Sequence, residues 1–177
     1  ADVLKEAERI ISSAESQNIT LRLLGGTAIA IHCPSARHRA IARMYPDIDL
    51  VGLKKQARSI REFFATIGYE PNKMFNALRG STRLMFFDLP NKRRVDIFLD
   101  YFEMCHRLEL RDRLTIDSKT LSLADLLATK LQVVKTNEKD IKDIVALLLD
   151  HDVETSDQPE TVNGARLAKL CSEDWGI

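Results

Sequence analysis

The sequence is poor in the residues that define several classes of protein. It contains only three cysteines, Cys33, Cys105 and Cys171, in 177 residues. They are odd in number and widely spaced, so they predict neither a disulfide framework nor a zinc site, and we expect a reducing cytoplasm. His32 and His106 each adjoin a cysteine, but adjacent residues lack metal-ligand spacing. No convincing partner can be assigned to any of the four histidines.

Net charge and long apolar runs are also missing. The 26 acidic side chains balance the 26 basic ones, which excludes a global field that attracts nucleic acid or anionic lipid. No run approaches the 18 apolar residues of a membrane span, and the first residues show no signal-peptide pattern. We therefore expect a soluble cytoplasmic protein without membrane association.

The order of predicted elements indicates an α/β (α+β) fold. Hydrophobic periodicity and turn residues predict a small mixed sheet flanked by helices in residues 1–118, followed by a helical segment in residues 119–177. The predicted helices cover residues 3–11, 27–31, 57–67, 122–135, 138–150 and 165–171, the last of them preceding Trp175. The predicted strands cover residues 19–24, 47–51, 82–87 and 94–100. On the helix at 138–150 we expect a buried face of Ile141, Ile144, Val145 and Leu148.

Two aspartates, Asp47 and Asp49, stand in the run Asp47-Ile48-Asp49-Leu50-Val51. Because strand side chains alternate between faces, both carboxylates point one way while Ile48 and Leu50 point the other. Aspartate is disfavoured in strands, and two neighbouring carboxylates repel each other unless a cation lies between them. A metal held by short carboxylates usually serves a phosphate. The alternative is a pair of solvated aspartates on an edge strand.

A Gly25-Gly26-Thr27 motif follows the first predicted strand. Glycines at a strand-to-helix junction let the backbone approach a phosphate, and the start of a helix offers free N–H groups. The alternative is a tight turn without a ligand. A basic stretch with Arg37, Arg39 and Arg43 follows, and it could steer a triphosphate or RNA or form a solvated loop.

Asp96 lies on the polar face of a strand whose other face is apolar. It could complete a three-carboxylate site with Asp47 and Asp49, and Asp100 on the same face is the reserve candidate. In two-metal chemistry the third carboxylate ligates the ion that activates the attacking hydroxyl and can act as its base.

The motifs together resemble those of the nucleotidyltransferase superfamily related to DNA polymerase beta. The order is Gly25-Gly26, Asp47-Ile48-Asp49, then Asp96 in Arg94-Val95-Asp96-Ile97-Phe98. Downstream, Leu127-Ala128-Thr129-Lys130-Leu131 and Lys139-Asp140-Ile141-Lys142-Asp143-Ile144 are similar to the last motif of AbiEii-type nucleotidyltransferases. These are toxin components of abortive-infection and toxin–antitoxin systems. The resemblance covers about residues 20 to 150.

The resemblance implies a role for each matching residue. It implies that Asp47, Asp49 and Asp96 are catalytic and bind two Mg²⁺ ions, with Mn²⁺ as a substitute. The implied nucleotide-binding residues are Gly25, Gly26, Thr27, Lys130 and Asp140, with Lys139 and Asp143 nearby. The implied partners are a nucleoside triphosphate, an acceptor hydroxyl on tRNA, protein or a small molecule, and an antitoxin protein.

Two departures from the family pattern affect these implications. The turn is Gly-Gly-Thr where many members have Gly-Ser, and the chain after Asp150 is short for such a toxin. The Gly-Gly-Thr turn leaves the role of the Thr27 hydroxyl open. The short segment after Asp150 leaves open which part of the chain binds the acceptor. The alternatives are a catalytically inactive relative that binds nucleotide or a partner protein, and a sugar-nucleotide transferase.

Overall fold

The computed structural model describes residues 2–174, and a mixed five-stranded sheet lies at its centre. The sheet contains β1 (Leu21–Leu24), β2 (Ile48–Gly52), β3 (Glu70–Pro71), β4 (Arg83–Asp88) and β5 (Arg93–Leu99). Their order is β1-β2-β5-β4-β3, in which β2 and β5 are parallel and the other neighbours are antiparallel. The predicted small mixed sheet with flanking helices is confirmed.

Helices and two short strand pairs complete the described part of the chain. The helices are α1 (Val3–Glu15), α2 (Gly25–His32), α3 (Ala57–Thr66), α4 (Lys73–Arg79), α5 (Leu123–Leu131), α6 (Glu138–Asp150) and α7 (Gly164–Glu173). Strand β6 (Tyr101–Glu103) pairs with β7 (Arg107–Glu109), and β8 (Val153–Glu154) pairs with β9 (Val162–Asn163). Trp175 lies outside the described residues. None of the helices that the structure describes is both long and apolar enough to cross a membrane.

The two central strands explain why the sheet positions a polar site. Ile48 of β2 pairs with Val95 of β5, and Leu50 pairs with Ile97, and all four side chains are fully buried. Burying side chains of this size stabilises the fold by about 1.5–3 kcal/mol each. Because alternate residues face opposite sides of a sheet, this apolar face sends the intervening aspartates to the other side.

The helical segment after residue 119 is attached to the end of β1 and to α2. Thr120 forms a bridge to Leu23, and α5 and α6 both pack against α2. Ser122 caps the start of α5, since its Oγ accepts a hydrogen bond from the Asp125 amide at 3.2 Å. Helix α5 ends at Leu131 rather than at the predicted Lys135. The division of the chain at residue 118 stays a prediction.

The predicted buried face of α6 was wrong. Ile141, Val145 and Leu148 are about half exposed, and only Ile144 of that set packs partly against the core. The buried residues of the helix are instead Asp140, Asp143, Ala146 and Leu147. Asp140 and Asp143 are buried because both pair with Lys130 on α5. Ion pairing therefore turns this face of α6 inward, instead of the apolar stripe.

Helix α4 and the β6–β7 pair were not predicted. Met74 and Leu78 of α4 are each 76% exposed, so the helix has no buried apolar stripe that a pattern could detect. Its start is set by Asn72, whose side chain accepts a hydrogen bond from the Phe75 amide. Helix α2 also differs from its prediction, because it begins at Gly25 and includes both glycines in its first turn.

Candidate active site

Asp49 and Asp96 are neighbours on the two central strands. They are paired in the register of the parallel strands β2 and β5, so their side chains project from the same face of the sheet. Adjacent strands lie about 4.8 Å apart, which places the two carboxylates side by side. Strand β2 lies between β1 and β5, so the alternative of solvated aspartates on an edge strand does not apply.

Asp47 immediately precedes β2 and reaches the same region through an arginine. The Arg94 Nη2 atom donates a hydrogen bond of 2.9 Å to Asp47 Oδ2. The Arg94 Nε atom also lies 2.9 Å from Asp96 Oδ2, as an ion pair whose geometry is not that of a hydrogen bond. Asp96 Oδ1 accepts a hydrogen bond of 3.0 Å from Arg83 Nε. Asp47 and Asp96 therefore converge on one guanidinium.

Asp49 is the carboxylate without a partner. No described residue makes a hydrogen bond or an ion pair with it. Burial and the neighbouring Asp96 and Asp47 raise the pKa of Asp49 to about 6, although Lys130 and Arg83 act in the opposite direction. Burial likewise raises the pKa of Asp96, against the effect of its two arginines. A carboxylate in this environment is stabilised by an added cation.

Gly25 lets the start of α2 approach the Asp49 carboxylate. Its backbone has φ of +69°, and a Cβ atom built on it would lie 2.7 Å from Asp49 Oδ2. Leu24, the preceding residue, pairs with Asp49 in the antiparallel register of β1 and β2. Only glycine fits both the positive φ and the close approach, so the motif has a steric role at the carboxylate itself.

Thr27 presents a buried hydroxyl that lacks a partner. Its side chain is 2% exposed, and no described residue accepts or donates a hydrogen bond at Oγ1. It lies in the first turn of α2 and lines a cleft together with Gly26, Asp47 and Asp49. A buried polar atom without a partner is uncommon in native proteins and is compatible with a bound ligand.

Lys130 holds the helical segment against the site. Its Nζ atom lies 2.9 Å from Asp140 Oδ1 and 2.8 Å from Asp143 Oδ2. Arg43 donates two further hydrogen bonds to Asp143, of 2.8 and 2.6 Å. Lys130, Asp140 and Asp143 therefore form one buried cluster, which we call the lysine cluster, at the rim of the carboxylate site.

The site opens into two adjoining clefts. One has a volume of about 190 Å³ and is lined by the α2 turn, Asp47, Asp49, Lys130 and Asp140. The other has a volume of about 310 Å³ and reaches from Asp49 to Arg83, Arg94 and Phe98. Both include Asp49 and Lys130. The structure thus places the predicted site residues from three separate segments around one region.

The carboxylates have suitable chemistry for a divalent metal, but they are not arranged as a finished metal site. Within residues 2–174, no three acidic, histidine or cysteine side chains are grouped so that they could hold a metal ion. Arg83 and Arg94 instead lie against Asp96. The oxygens of Asp47, Asp49 and Asp96 are the ligand type that Mg²⁺ prefers, and Asp49 lacks any other partner. The three-carboxylate metal site stays a prediction.

Asp100, the reserve candidate, lies elsewhere. Its φ is +69°, which takes it out of the alternation of β5. Its carboxylate accepts hydrogen bonds from the Lys54 amide and from Arg111, beside a different cleft of about 650 Å³.

The histidines have partners that could not be assigned from the sequence. His32 contacts Glu160 and Thr120 at 2.8 Å each, and His106 contacts Asp174 at 2.6 Å. These contacts tie the later segments of the chain to the core. Acidic partners more than 60 positions away along the chain leave no local signal in the sequence.

Two arginines belong to the site although no motif of the sequence indicated them. Arg83 and Arg94 both contact Asp96, yet neither was singled out. Arg94 and Asp96 are two residues apart on β5, so their side chains share one face of the strand, and this spacing could have indicated the contact. Arg83 lies on the neighbouring strand β4, so its contact depends on a register that the sequence does not state.

No protein-family model and no curated protein matches the sequence. Solved structures do match. A lincomycin-bound crystal structure of the lincosamide antibiotic adenylyltransferase LnuA has a TM-score of 0.53 and 16% identity, covering 79% of this chain and 92% of that one. A solution structure of the antibiotic-resistance factor ANT(2'')-Ia has a TM-score of 0.50 and 13% identity, covering 98% and 94%.

At these identities the likeness concerns the fold. The chain has a nucleotidyltransferase-like fold, as its strand order and its sequence motifs lead one to expect.

Proposed function

We propose that this protein is a metal-dependent nucleotidyltransferase. It would transfer a nucleoside monophosphate from a nucleoside triphosphate to a hydroxyl group of an acceptor and release pyrophosphate. The observation that carries the proposal is the pairing of Asp49 with Asp96 on adjacent strands, with the Asp49 carboxylate left without a partner. The likeness of the fold to nucleotidyltransferases supports the same reaction class.

The chemistry assigns a separate role to each carboxylate. Asp47 and Asp49 would hold the metal, with Asp96 as its third ligand. Bound Mg²⁺ would offset the charge that develops on the α-phosphate and the leaving group. The acceptor oxygen bonds to the α-phosphorus, the bond to the bridging oxygen breaks, and pyrophosphate leaves. Asp96 would also take the proton of the acceptor hydroxyl.

The triphosphate would occupy the cleft beside α2. The first turn of this helix supplies free N–H groups, and Thr27 supplies a buried hydroxyl that has no partner among the described residues. Lys139 brings positive charge to this cleft, in which Lys130 and Arg43 are paired with Asp140 and Asp143. Lys130 is already held by Asp140, so Asp140 acts by positioning the lysine.

The acceptor would occupy a groove that adjoins the cleft containing Asp49. This groove has a volume of about 510 Å³, within the range of small-molecule sites. It shares Arg83, Phe98 and Met104 with the cleft that contains Asp49. The groove is lined by Phe75, Arg79, Thr82, Arg83, Phe98, Tyr101, Glu103 and Met104.

A small molecule is the acceptor class that we favour. The two neighbouring structures are a lincosamide antibiotic adenylyltransferase with lincomycin bound and an antibiotic-resistance factor. The dimensions of the groove agree with an acceptor of that kind. A tRNA or protein acceptor, a role as a toxin and an antitoxin partner are predictions from the AbiEii resemblance alone.

A second candidate is a relative that binds nucleotide without turnover. The observation in its favour is that Arg94 already lies between Asp47 and Asp96, where a cation would bind. Calorimetry with each triphosphate, with and without Mg²⁺, detects binding in either case. Binding without transfer to any acceptor would favour this candidate.

The deciding experiment uses triphosphates labelled at the α-phosphate. The purified protein is incubated with Mg²⁺ and one of the four common nucleoside triphosphates. Each mixture also contains one candidate acceptor: cellular RNA, cellular protein, a small-molecule extract or lincomycin. We expect one fraction to acquire the label only when Mg²⁺ is present. Labelling of the small-molecule fraction or of lincomycin supports our preferred acceptor, and labelling of RNA or protein replaces it.

Matched variants make the result specific to the site. Asp49→Asn should prevent labelling, whereas Glu62→Gln should leave it unchanged. Glu62 forms an exposed ion pair with Arg58 on α3 and has no contact with the carboxylates. Undiminished transfer by Asp49→Asn would refute the assignment of the site.

A further inference from the structure

Arg94 lies where the proposed site needs a positive charge. Its guanidinium contacts Asp47 Oδ2 through Nη2 and Asp96 Oδ2 through Nε, both at 2.9 Å. Asp47 immediately precedes β2 and Asp96 lies on β5, so one side chain neutralises two carboxylates that are distant in sequence. The same two residues are proposed ligands of a divalent metal, and the guanidinium and the metal therefore compete for them.

Arg83 also contacts Asp96, but it is held in a different way. Its Nε donates a hydrogen bond to Asp96 Oδ1, and its guanidinium lies 4.5 Å from the ring centre of Phe98 and 5.7 Å from that of Phe75. Aromatic contacts of this kind hold an arginine even when its ion pair changes. Arg83 is therefore fixed to the sheet.

Arg94 has no such anchor within residues 2–174. Its side chain is 43% exposed, compared with 32% for Arg83, and its contact with Asp96 lacks hydrogen-bond geometry. Charge attraction to two carboxylates and one hydrogen bond to Asp47 hold it in place. A divalent cation satisfies both carboxylates more strongly than a guanidinium does. Of the two arginines at Asp96, Arg94 is therefore the one that a cation can displace from the carboxylates.

We infer that Arg94 is a displaceable internal cation of this site. It neutralises Asp47 and Asp96 while the metal is absent, and it leaves them when a metal–triphosphate complex binds. Arg94 lines the cleft that adjoins the proposed triphosphate cleft and shares Asp49 and Lys130 with it, so the released guanidinium stays next to the incoming phosphates. The inference rests on the proposed metal-dependent transfer.

The two parts of this role have opposite effects on binding. Removing the guanidinium removes a competitor of the metal, so Arg94→Gln should bind Mn²⁺ alone about fivefold to tenfold more tightly. It also removes a partner of the phosphates. The variant should therefore bind a non-reactive triphosphate analogue more weakly in saturating Mn²⁺, by a factor of about five. A purely structural arginine would not produce changes of opposite sign.

The experiment measures free Mn²⁺ by electron paramagnetic resonance during a titration without nucleotide, then measures analogue binding by calorimetry. Arg58→Gln is the control, because it removes one positive charge from an exposed pair on α3. It should behave as the wild type does. Asp49→Asn tests the metal site itself and should lose Mn²⁺ binding.

The outcomes separate the inference from the proposed function. Loss of Mn²⁺ binding in Asp49→Asn with unchanged or weaker binding in Arg94→Gln overturns the role of Arg94 and leaves the proposed function standing. Absence of Mn²⁺ binding in the wild type and in Arg94→Gln, both without and with the triphosphate analogue, overturns both. If Arg94→Gln does not fold, Arg94→Lys decides. It keeps the charge without the fixed fork of donors, and it should also bind Mn²⁺ more tightly than the wild type.

Discussion

Two aspartates of this protein, the partly buried Asp49 and the fully buried Asp125, have opposite environments. Asp125 is 1% exposed, and it accepts hydrogen bonds from Arg113 at 2.7 Å, Ser122 at 2.7 Å and Arg166 at 3.1 Å. Asp49 has no partner among the described residues, and its pKa is raised to about 6. One carboxylate is satisfied by the protein, and the other is left for something that the protein binds.

This difference distinguishes a carboxylate that stabilises the fold, Asp125, from one that is available to a ligand, Asp49. A buried acid with all its partners present joins the elements that supply them, here α5, α7 and the segment after β7. A buried acid without partners costs stability unless a ligand compensates for it. The protein retains that cost at Asp49, beside Asp96, and this is why the site rather than the Asp125 network is the proposed reaction centre.

The largest difference concerns activity. Asp49→Asn should lower nucleotidyl transfer by about 10³-fold or more, because it removes a ligand of the ion that stabilises the transition state. The measurement is the rate of label transfer from an α-labelled triphosphate at saturating Mg²⁺. Asp125→Asn should transfer at close to the wild-type rate wherever it is folded. Equal losses in the two variants would remove the distinction between them.

The next difference concerns stability. Asp125→Ala should lower the free energy of unfolding by about 3–5 kcal/mol, because it removes the buried carboxylate that Arg113 and Arg166 share. Urea denaturation followed by circular dichroism measures the change. Glu62→Gln, which breaks only an exposed pair, should change it by less than about 1 kcal/mol. A loss below about 1 kcal/mol for Asp125→Ala would mean that this network is not structural.

The pH dependence should distinguish the same two residues. The pKa of Asp49 in the folded protein, about 6, lies above its ordinary value of 3.8, so the stability linked to its protonation is present below about pH 4 and lost as the pH rises towards 6. Asparagine does not ionise, so Asp49→Asn should not lose stability over this pH range. At pH 8 without metal the variant should be more stable than the wild type by about 1–3 kcal/mol, and at pH 4 the two should nearly agree. A variant that is less stable at pH 8 would contradict the unpartnered carboxylate.

The smallest expected effect is the difference in transfer activity between alanine variants of two glycines. Gly25 and Gly68 both have positive φ, but a Cβ atom at Gly25 would press on Asp49, whereas one at Gly68 has nothing within 4 Å. Either change to alanine should cost about 1–2 kcal/mol of stability, because the left-handed conformation is unfavourable with a side chain. Only Gly25→Ala should also reduce transfer. Equal activity of the two variants would mean that the approach of Gly25 to Asp49 has no role in the reaction.

The part of the site on the strands could be predicted from the sequence. The period of two places Asp49 and Asp96 opposite the apolar residues of their strands, and this needs no knowledge of the partner strand. The sequence did not reveal that Arg94 connects Asp47 with Asp96, because that contact requires the pairing of β2 with β5. The buried face of α6 was missed for a similar reason, since Lys130 on α5 draws Asp140 and Asp143 inward. In both cases a charge contact between separate elements overrides local periodicity.

The most direct test of the account is a crystal structure of the protein with Mn²⁺ and a non-reactive triphosphate analogue. We expect an anomalous peak about 2.1–2.2 Å from oxygens of Asp47 and Asp49 and from a phosphate oxygen, with the analogue beside the first turn of α2. A peak at another place, or an analogue bound away from Asp49, would contradict it.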